Sequence, residues 1–283
     1  MSLAIQSACE EDTLIYDDDD ETRIEAILKE LESLDLPSED GIPLETNWHR
    51  IEMNLLIASV HWHWRDRRDY FAGGNMFVYF SLAQVRNKDY RGPDFFVVKD
   101  TDGDKNRDSW VVWNEDGQYP DVIVELASAS TIGTDLGLKK HLYEHTFRTP
   151  EYFCYDPGEK RLYGWFHEGS RGYVEIAPND RRWLRSKQLG VWLGLWEGEF
   201  QRVNSVWLRF YNDDGQLILT RGEAESKRAE AESKRAEAEA RRAEAEAQRA
   251  ETESRRAETE SRRADAAEAE LERLRALLAK QGS

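Results

Sequence analysis

The sequence predicts a mixed α/β domain followed by a long charged helix, and three observations carry that expectation. Between about residues 41 and 220, patterns of helical and strand period follow one another in the order helix, strands, helix, strands. Within that block, PDVIVELAS at 120–128 is a continuous apolar run broken only by Glu125, the mark of a strand buried on both faces. From Glu223 to Lys280 there is neither Gly nor Pro, and a seven-residue unit repeats from ESKRAEA to ESRRADA.

The first forty residues hold fourteen acids against two bases, a charge of −12, and include the run Asp17–Asp20. Such a stretch reads as a solvated arm. From Glu21, the spacing of Ile24, Ile27, Leu28, Leu31 and Leu34 predicts an amphipathic helix, capped by Thr22 with Glu25 and stopped by Pro37. Residues 41–220 carry −4 and all ten Trp, which makes them the globular domain. There, Trp48 to Arg65 predicts a helix with Ile51, Leu55, Ile57, Ala58 and Trp62 on its apolar side. DYFAGG, MFVYFSL and GPDFFVV read as strands, TDGDKNRD at 101–108 as a loop, and PDVIVELAS as the central strand. A helix is expected from Thr134 or Asp135 to about Phe147, ended by Pro150, and EYFCYD, RLYGWF and YVEIA read as three further strands.

Residues 221–283 hold sixteen acids and fifteen bases, so this segment is nearly neutral. Glu precedes Lys or Arg by four at Glu223–Lys227, Glu230–Lys234, Glu237–Arg241, Glu251–Arg255 and Glu258–Arg262, each pair adding about 0.2–0.5 kcal/mol to a helix of roughly 90 Å. Its 3–4 positions are Ser and Ala, a poor coiled-coil seam. Only Leu271, Leu274, Leu277 and Leu278 offer an apolar patch for self-association at the helix end.

No apolar run is long enough to cross a membrane, and MSLAIQSACEED carries acid where a secretory signal needs base, so a cytoplasmic protein is expected. Cys9 and Cys154 make neither a metal spacing nor a disulfide framework. The formal net charge of −17 argues against nucleic acid at first sight, but it is concentrated in the N-terminal forty residues and leaves the domain free to meet DNA.

Glu125 is the acid that needs an explanation, because an unpaired charge inside VIVELA is costly to bury. Asp94 opens the apolar strand FFVV in the same way, and two acids on neighbouring strands suit a hard divalent ion. Asp135, Lys139 and Tyr143 are spaced by four on one helix face, so Lys139 can approach Glu125, whereas Lys140 points about 100° away toward solvent. From the residues alone, two readings stand open: a catalytic cluster, or a buried ion pair with Asp94 capping a turn after Pro93. His61 and His63 diverge by about 200° and cannot chelate together. Gly73-Gly74-Asn75 lacks the lysine of a phosphate loop. The late aromatics Trp183, Trp192, Trp196 and Trp207 read as core. RDRR at 65–68 and DRRWLRSK at 180–187 are the two basic patches.

From about Leu44 to Asp156 the chain resembles the Uma-two family, restriction-endonuclease-type proteins of the PD-(D/E)XK nuclease superfamily. The resemblance is carried by His49, by GPDFFVV with Pro93-Asp94, by PDVIVELASAST with Glu125, Ser128 and Thr131, by Asp135, Lys139 and Tyr143, and by PEYFCYD. It implies a restriction-endonuclease-like core, a mixed sheet flanked by helices. It also implies Asp94 and Glu125 as ligands of Mg²⁺ or Mn²⁺, and Asp94, Glu125 and Lys139 as the catalytic set of a DNA endonuclease. The superfamily's lysine usually lies two residues after the Glu, where this chain has Ala127, so Lys139 is the replacement. Glu52 is weighed as a further acid and as a surface helix residue. Two functions are therefore expected to compete: a Mg²⁺-dependent endonuclease, plausible as a homodimer because nucleases that cut both strands pair, and a catalytically degenerate nuclease fold acting in binding or assembly through its long helix.

Overall fold

In a computed structural model, residues 46–87 and 92–281 are described, together with isolated positions between 23 and 36 and side chains to residue 275. The acidic run at 17–20, Cys9, Ile24 and Leu28 of the N-terminal amphipathic face, and its expected end residues Thr22, Glu25 and Pro37 lie outside these residues. Arg23, Ala26, Ile27, Lys29, Glu30 and Leu31 are helical.

The domain is built on a six-stranded sheet. Its strands are β1 (Tyr70–Gly73), β3 (Phe95–Lys99), β5 (Val122–Leu126), β6 (Glu151–Asp156), β7 (Arg161–His167) and β8 (Tyr173–Glu175), lying side by side in that order. β5 and β6 are parallel and the other neighbours antiparallel, so the sheet is mixed. The parallel pair is joined by a helical crossover, α3, formed by turns at Ile132–Thr134, Asp135–Lys139, Lys140–Leu142 and Tyr143–Phe147. Every residue of β5 is buried, as its unbroken apolar pattern requires.

The sheet is covered on both faces. On one, Val122, Val124, Leu126, Phe153 and Tyr155 pack with Met53, Leu56 and Val60 of α1 (Asn47–His63) and with a three-stranded antiparallel sheet of β9 (Leu184–Ser186), β10 (Val191–Phe200) and β11 (Val203–Tyr211). On the other, Phe96, Val98, Ile123, Tyr152 and Cys154 pack with Tyr143 and Phe147 of α3. The second sheet is not evident in the sequence. In β10 the Trp, Gly and Glu residues interrupt the alternation of Val191, Leu193 and Leu195.

MFVYFSL forms less strand than its composition predicts. Only β2 (Val78–Tyr79) pairs, in parallel with β4 (Trp110–Val111). Gln84 ends the strand: its side chain accepts from Phe80 N–H and donates to the Val78 carbonyl, both at 2.9 Å, while Ser81 Oγ accepts from Gln84 N–H. The chain then enters α2 (Leu82–Asn87).

Glu151, at the start of β6, ties the two sheets together. Its carboxylate accepts from Ser186 Oγ, from Lys187 N–H at 2.7 Å and from Gln188 N–H at 3.2 Å. Glu151→Ala strands these donors, and a loss of about 2–4 kcal/mol is expected in urea unfolding. Burial raises the Glu151 pKa above its ordinary 4.5, against the pull of those hydrogen bonds. A raised folded pKa means that the carboxyl's contribution is full below 4.5 and fades as pH rises through the folded value. Glu151→Gln should therefore gain stability relative to wild type as pH rises past that point; the opposite slope would show the hydrogen bonds outweighing burial.

The chain divides into two compact units, residues 1–220 and 221–283. The second is one helix, α4 (Arg221–Gln281), roughly 90 Å long. Arg255 and Glu251 pair across one turn at 2.6 Å, and Leu271 and Leu274 are exposed. Among the described residues, no helix is long and apolar enough to cross a membrane.

Candidate active site

The edge of the ladder between β3 and β5 brings the two acids together. Phe95 pairs with Val124, so one step further along the antiparallel register Asp94 faces Glu125. Asp94 completes that step with its side chain, Oδ2 accepting from Leu126 N–H at 2.7 Å. Gly74 lets the preceding loop come this close, because a Cβ there would lie 2.5 Å from the Asp94 carbonyl oxygen and 2.6 Å from Met53 Cγ.

α1 contributes the second partner of Asp94. Thr46 caps the helix, accepting from His49 N–H at 3.2 Å, and His49 turns inward with Nε2 3.1 Å from Asp94 Oδ1. Burial pushes the Asp94 carboxyl up, but the His49 hydrogen bond and charge, Lys139 and Leu126 N–H outweigh it and hold the pKa below the ordinary value.

Glu125 is wholly buried and doubly held: Oε2 lies 2.9 Å from Lys139 Nζ, and Oε1 accepts from Tyr143 Oη at 2.7 Å. Lys139 also lies 2.9 Å from buried Asp135 Oδ1. Lys139 and Asp135 share a π turn, and Tyr143 opens a second. Such wide turns are uncommon and concentrate at functional sites. They present all three side chains to β5, where even spacing by four predicted them. Burial raises the Glu125 pKa; Lys139 opposes the rise, and Asp94 and Asp135 add to it by repulsion. Burial pulls the Lys139 pKa down, but the three surrounding acids carry it above the ordinary lysine value. Glu125 and Asp135 thus share one lysine, while Asp94 is held by His49 and feels the same ammonium through space.

All three residues singled out in the sequence, Asp94, Glu125 and Lys139, converge. Asp135 and Tyr143, which spacing by four placed beside Lys139, join them, as does His49, which the family resemblance singled out. Ala127 is buried in the core below α3, with its N–H donated to the Tyr155 carbonyl, so the ammonium group enters from the helix instead of from β5.

Glu52 is not the surface helix residue considered for it. It is fully buried rather than on the surface, and its Oε2 accepts from Leu208 N–H at 3.1 Å, beside Arg209. Lys140 is not a plain solvent lysine either, since its Nζ sits 4.8 Å from the Trp165 ring centroid. His61 and His63 separate as expected, His61 Nδ1 lying 2.8 Å from Tyr70 Oη.

Residues 40–196 match the Uma2 family, described as "Putative restriction endonuclease". Among solved structures, the chain is similar to a "putative nuclease belonging to DUF820" from Anabaena variabilis, with 13% sequence identity and a TM-score of 0.38, covering 57% of this chain and 89% of that one. No curated protein matches.

Proposed function

The chain belongs to the Uma2 family, and from that premise we propose that it is a divalent-metal-dependent endonuclease that hydrolyses DNA phosphodiester bonds at Asp94, Glu125 and Lys139. The observation that carries this reading is the facing of Asp94 and Glu125 across two strands, with a lysine from the following helix 2.9 Å from the buried acid.

The donor set fits a hard ion of the Mg²⁺ or Mn²⁺ class. It consists of carboxylate oxygens, and burial, with smaller repulsions from Asp94 and Asp135, raises the proton affinity of Glu125 against the pull of Lys139. Among the described residues no three His, Cys, Asp or Glu side chains form a ready coordination group. Magnesium asks for less: one or two carboxylates suffice, with water and phosphate oxygens completing its shell. Asp94 and Glu125 would hold the ion. When bound, it supplies Lewis-acid polarisation of the phosphate and a more acidic water.

The remaining chemistry belongs to the chain. His49 and Leu126 N–H fix both oxygens of Asp94 and so set the direction of its free lone pairs. Tyr143 does the same for Glu125. Lys139 holds a positive charge where a phosphate oxygen gains negative charge in the transition state, or positions the attacking water by donating to it.

Plasmid DNA should be nicked or linearised with Mg²⁺ or Mn²⁺ and left intact with EDTA, and Glu125→Gln should remove the cutting. Equal cutting by wild type and Glu125→Gln would mean a contaminating nuclease and would end the catalytic reading in favour of a nuclease fold that binds without cleaving.

A further inference from the structure

Two basic patches stand out in this acidic chain, and the structure separates them. In RDRR, the cations are matched by acids: Arg65 with Asp66 at 3.8 Å, Arg67 with Asp69 at 2.8 Å and Arg68 with Asp104 at 3.7 Å. In the second patch, Arg181 and Arg182 meet Lys160 and Arg161 from the β6–β7 turn along a groove of about 510 Å³. Among the described residues, none of these four cations forms an ion pair with a carboxylate. Glu159 and Glu175 also line the groove, which leaves four positive charges against two negative.

Two of the four are held in place before any ligand arrives. Arg161 lies over Tyr163, Cζ 4.5 Å from the ring centroid, and Arg181 over Trp183 at 4.9 Å. Trp183 itself stacks on Tyr211 at 3.9 Å and covers Gly194, where a Cβ would come within 2.2 Å of the indole. Trp183 therefore sits in a basic cluster as a platform for Arg181, contrary to its reading as plain core. Guanidinium groups fixed in this way lose less side-chain entropy on binding an anion.

The register places this groove relative to the acid cluster. Glu125 pairs with Cys154 and Cys154 with Tyr163, so the β6–β7 turn lies beyond the same end of the sheet, two strands over, whereas Leu162, Leu184 and Leu195 floor the groove on the face of the second sheet, opposite the face on which Glu125 meets Tyr143.

We propose that the groove of Lys160, Arg161, Arg181 and Arg182 is a docking surface for the phosphate backbone of duplex DNA. The proposal rests on the nuclease reading above and deepens it. Charge complementarity selects the ligand: unpaired cations in a chain of net charge −17 favour a dense polyanion, and contacts of this kind hold the strand without reading its sequence.

The test uses the full-length triple variant Lys160→Ser, Arg181→Ser and Arg182→Ser, with near-UV dichroism as the check on folding. Binding of a fluorescent duplex is followed by anisotropy in EDTA across a salt series. Loss of three phosphate contacts should weaken binding by about tenfold or more at low salt and flatten the slope of log K against log[salt] by about 2–3. Cutting at saturating DNA should be retained. The paired-patch variant Arg65→Ser with Arg68→Ser should bind like wild type.

If the triple variant keeps wild-type affinity and slope while Glu125→Gln still abolishes cutting, the groove proposal fails and the nuclease reading survives. If wild type neither binds nor cuts DNA, both fail. If the triple variant keeps its DNA affinity but loses self-association in sedimentation, the groove takes a second copy of the chain and the proposal is wrong.

Discussion

Lys139→Met is expected to remove cutting and to destabilise the domain by about 3–5 kcal/mol, because it withdraws the one cation shared by Glu125 and Asp135. Methionine fills a similar volume, so the loss is one of charge compensation more than of packing. Glu125 would then keep only the Tyr143 hydroxyl as a partner, in a fully buried position. Burial already raises the Glu125 pKa to about 8 against the pull of Lys139; without that pull Glu125 protonates more readily still, and a protonated carboxyl is a poor ligand for a hard cation. Activity therefore falls for two reasons: the missing ammonium, worth about 100- to 1000-fold by analogy with other electrostatic contacts to a transition state, and the altered state of Glu125. Urea unfolding followed by Trp fluorescence, read beside plasmid cutting under the same buffer conditions, measures both. A variant that cuts normally would remove Lys139 from the chemistry, and one of unchanged stability would show that the ion pair is not a structural anchor.

The helix α1, the buried strand β5 and the facing pair Asp94–Glu125 were legible because each rests on a local pattern. Helical period, an unbroken apolar run and an acid out of place within it all survive in one dimension. The approach of Lys139 was legible too, since spacing by four along a helix after a buried strand leaves few other faces for it. The π turns were not, because they depend on how α3 is stretched over the sheet, and no residue from Asp135 to Phe147 announces a widened turn. Glu52 shows the same limit from the other direction. A glutamate on an amphipathic helix reads as a surface residue, and only the return of β11, more than 150 residues later, buries it against Leu208 N–H. The strand MFVYFSL was shortened by a tertiary competitor of low sequence visibility, the Gln84 side chain satisfying both Phe80 N–H and the Val78 carbonyl. Trp183 likewise looked like core although it stands inside DRRWLRSK, because the stacking that makes it a platform for Arg181 depends on Tyr211, twenty-eight positions away.

The double variant Glu125→Gln with Lys139→Met is expected to recover much of the stability lost by Lys139→Met alone while recovering no activity. With Gln at 125 no carboxylate remains there to be neutralised, and Tyr143 can still donate to the amide oxygen. Asp135 keeps the recovery incomplete, because its Oδ1 is buried against the same lysine. A coupling of about 2–3 kcal/mol between the two positions is expected from the cycle of single and double variants. The same four proteins measured for cutting resolve what a buried ion pair by itself leaves ambiguous. If the pair only stabilises the fold, stability couples and each variant that folds still cuts. If it is the centre of the reaction, stability couples in the same way, yet both single variants and the double variant stay at background. A restored fold without restored cutting thus assigns Glu125 and Lys139 to the chemistry, because the stability explanation for the loss has been taken away.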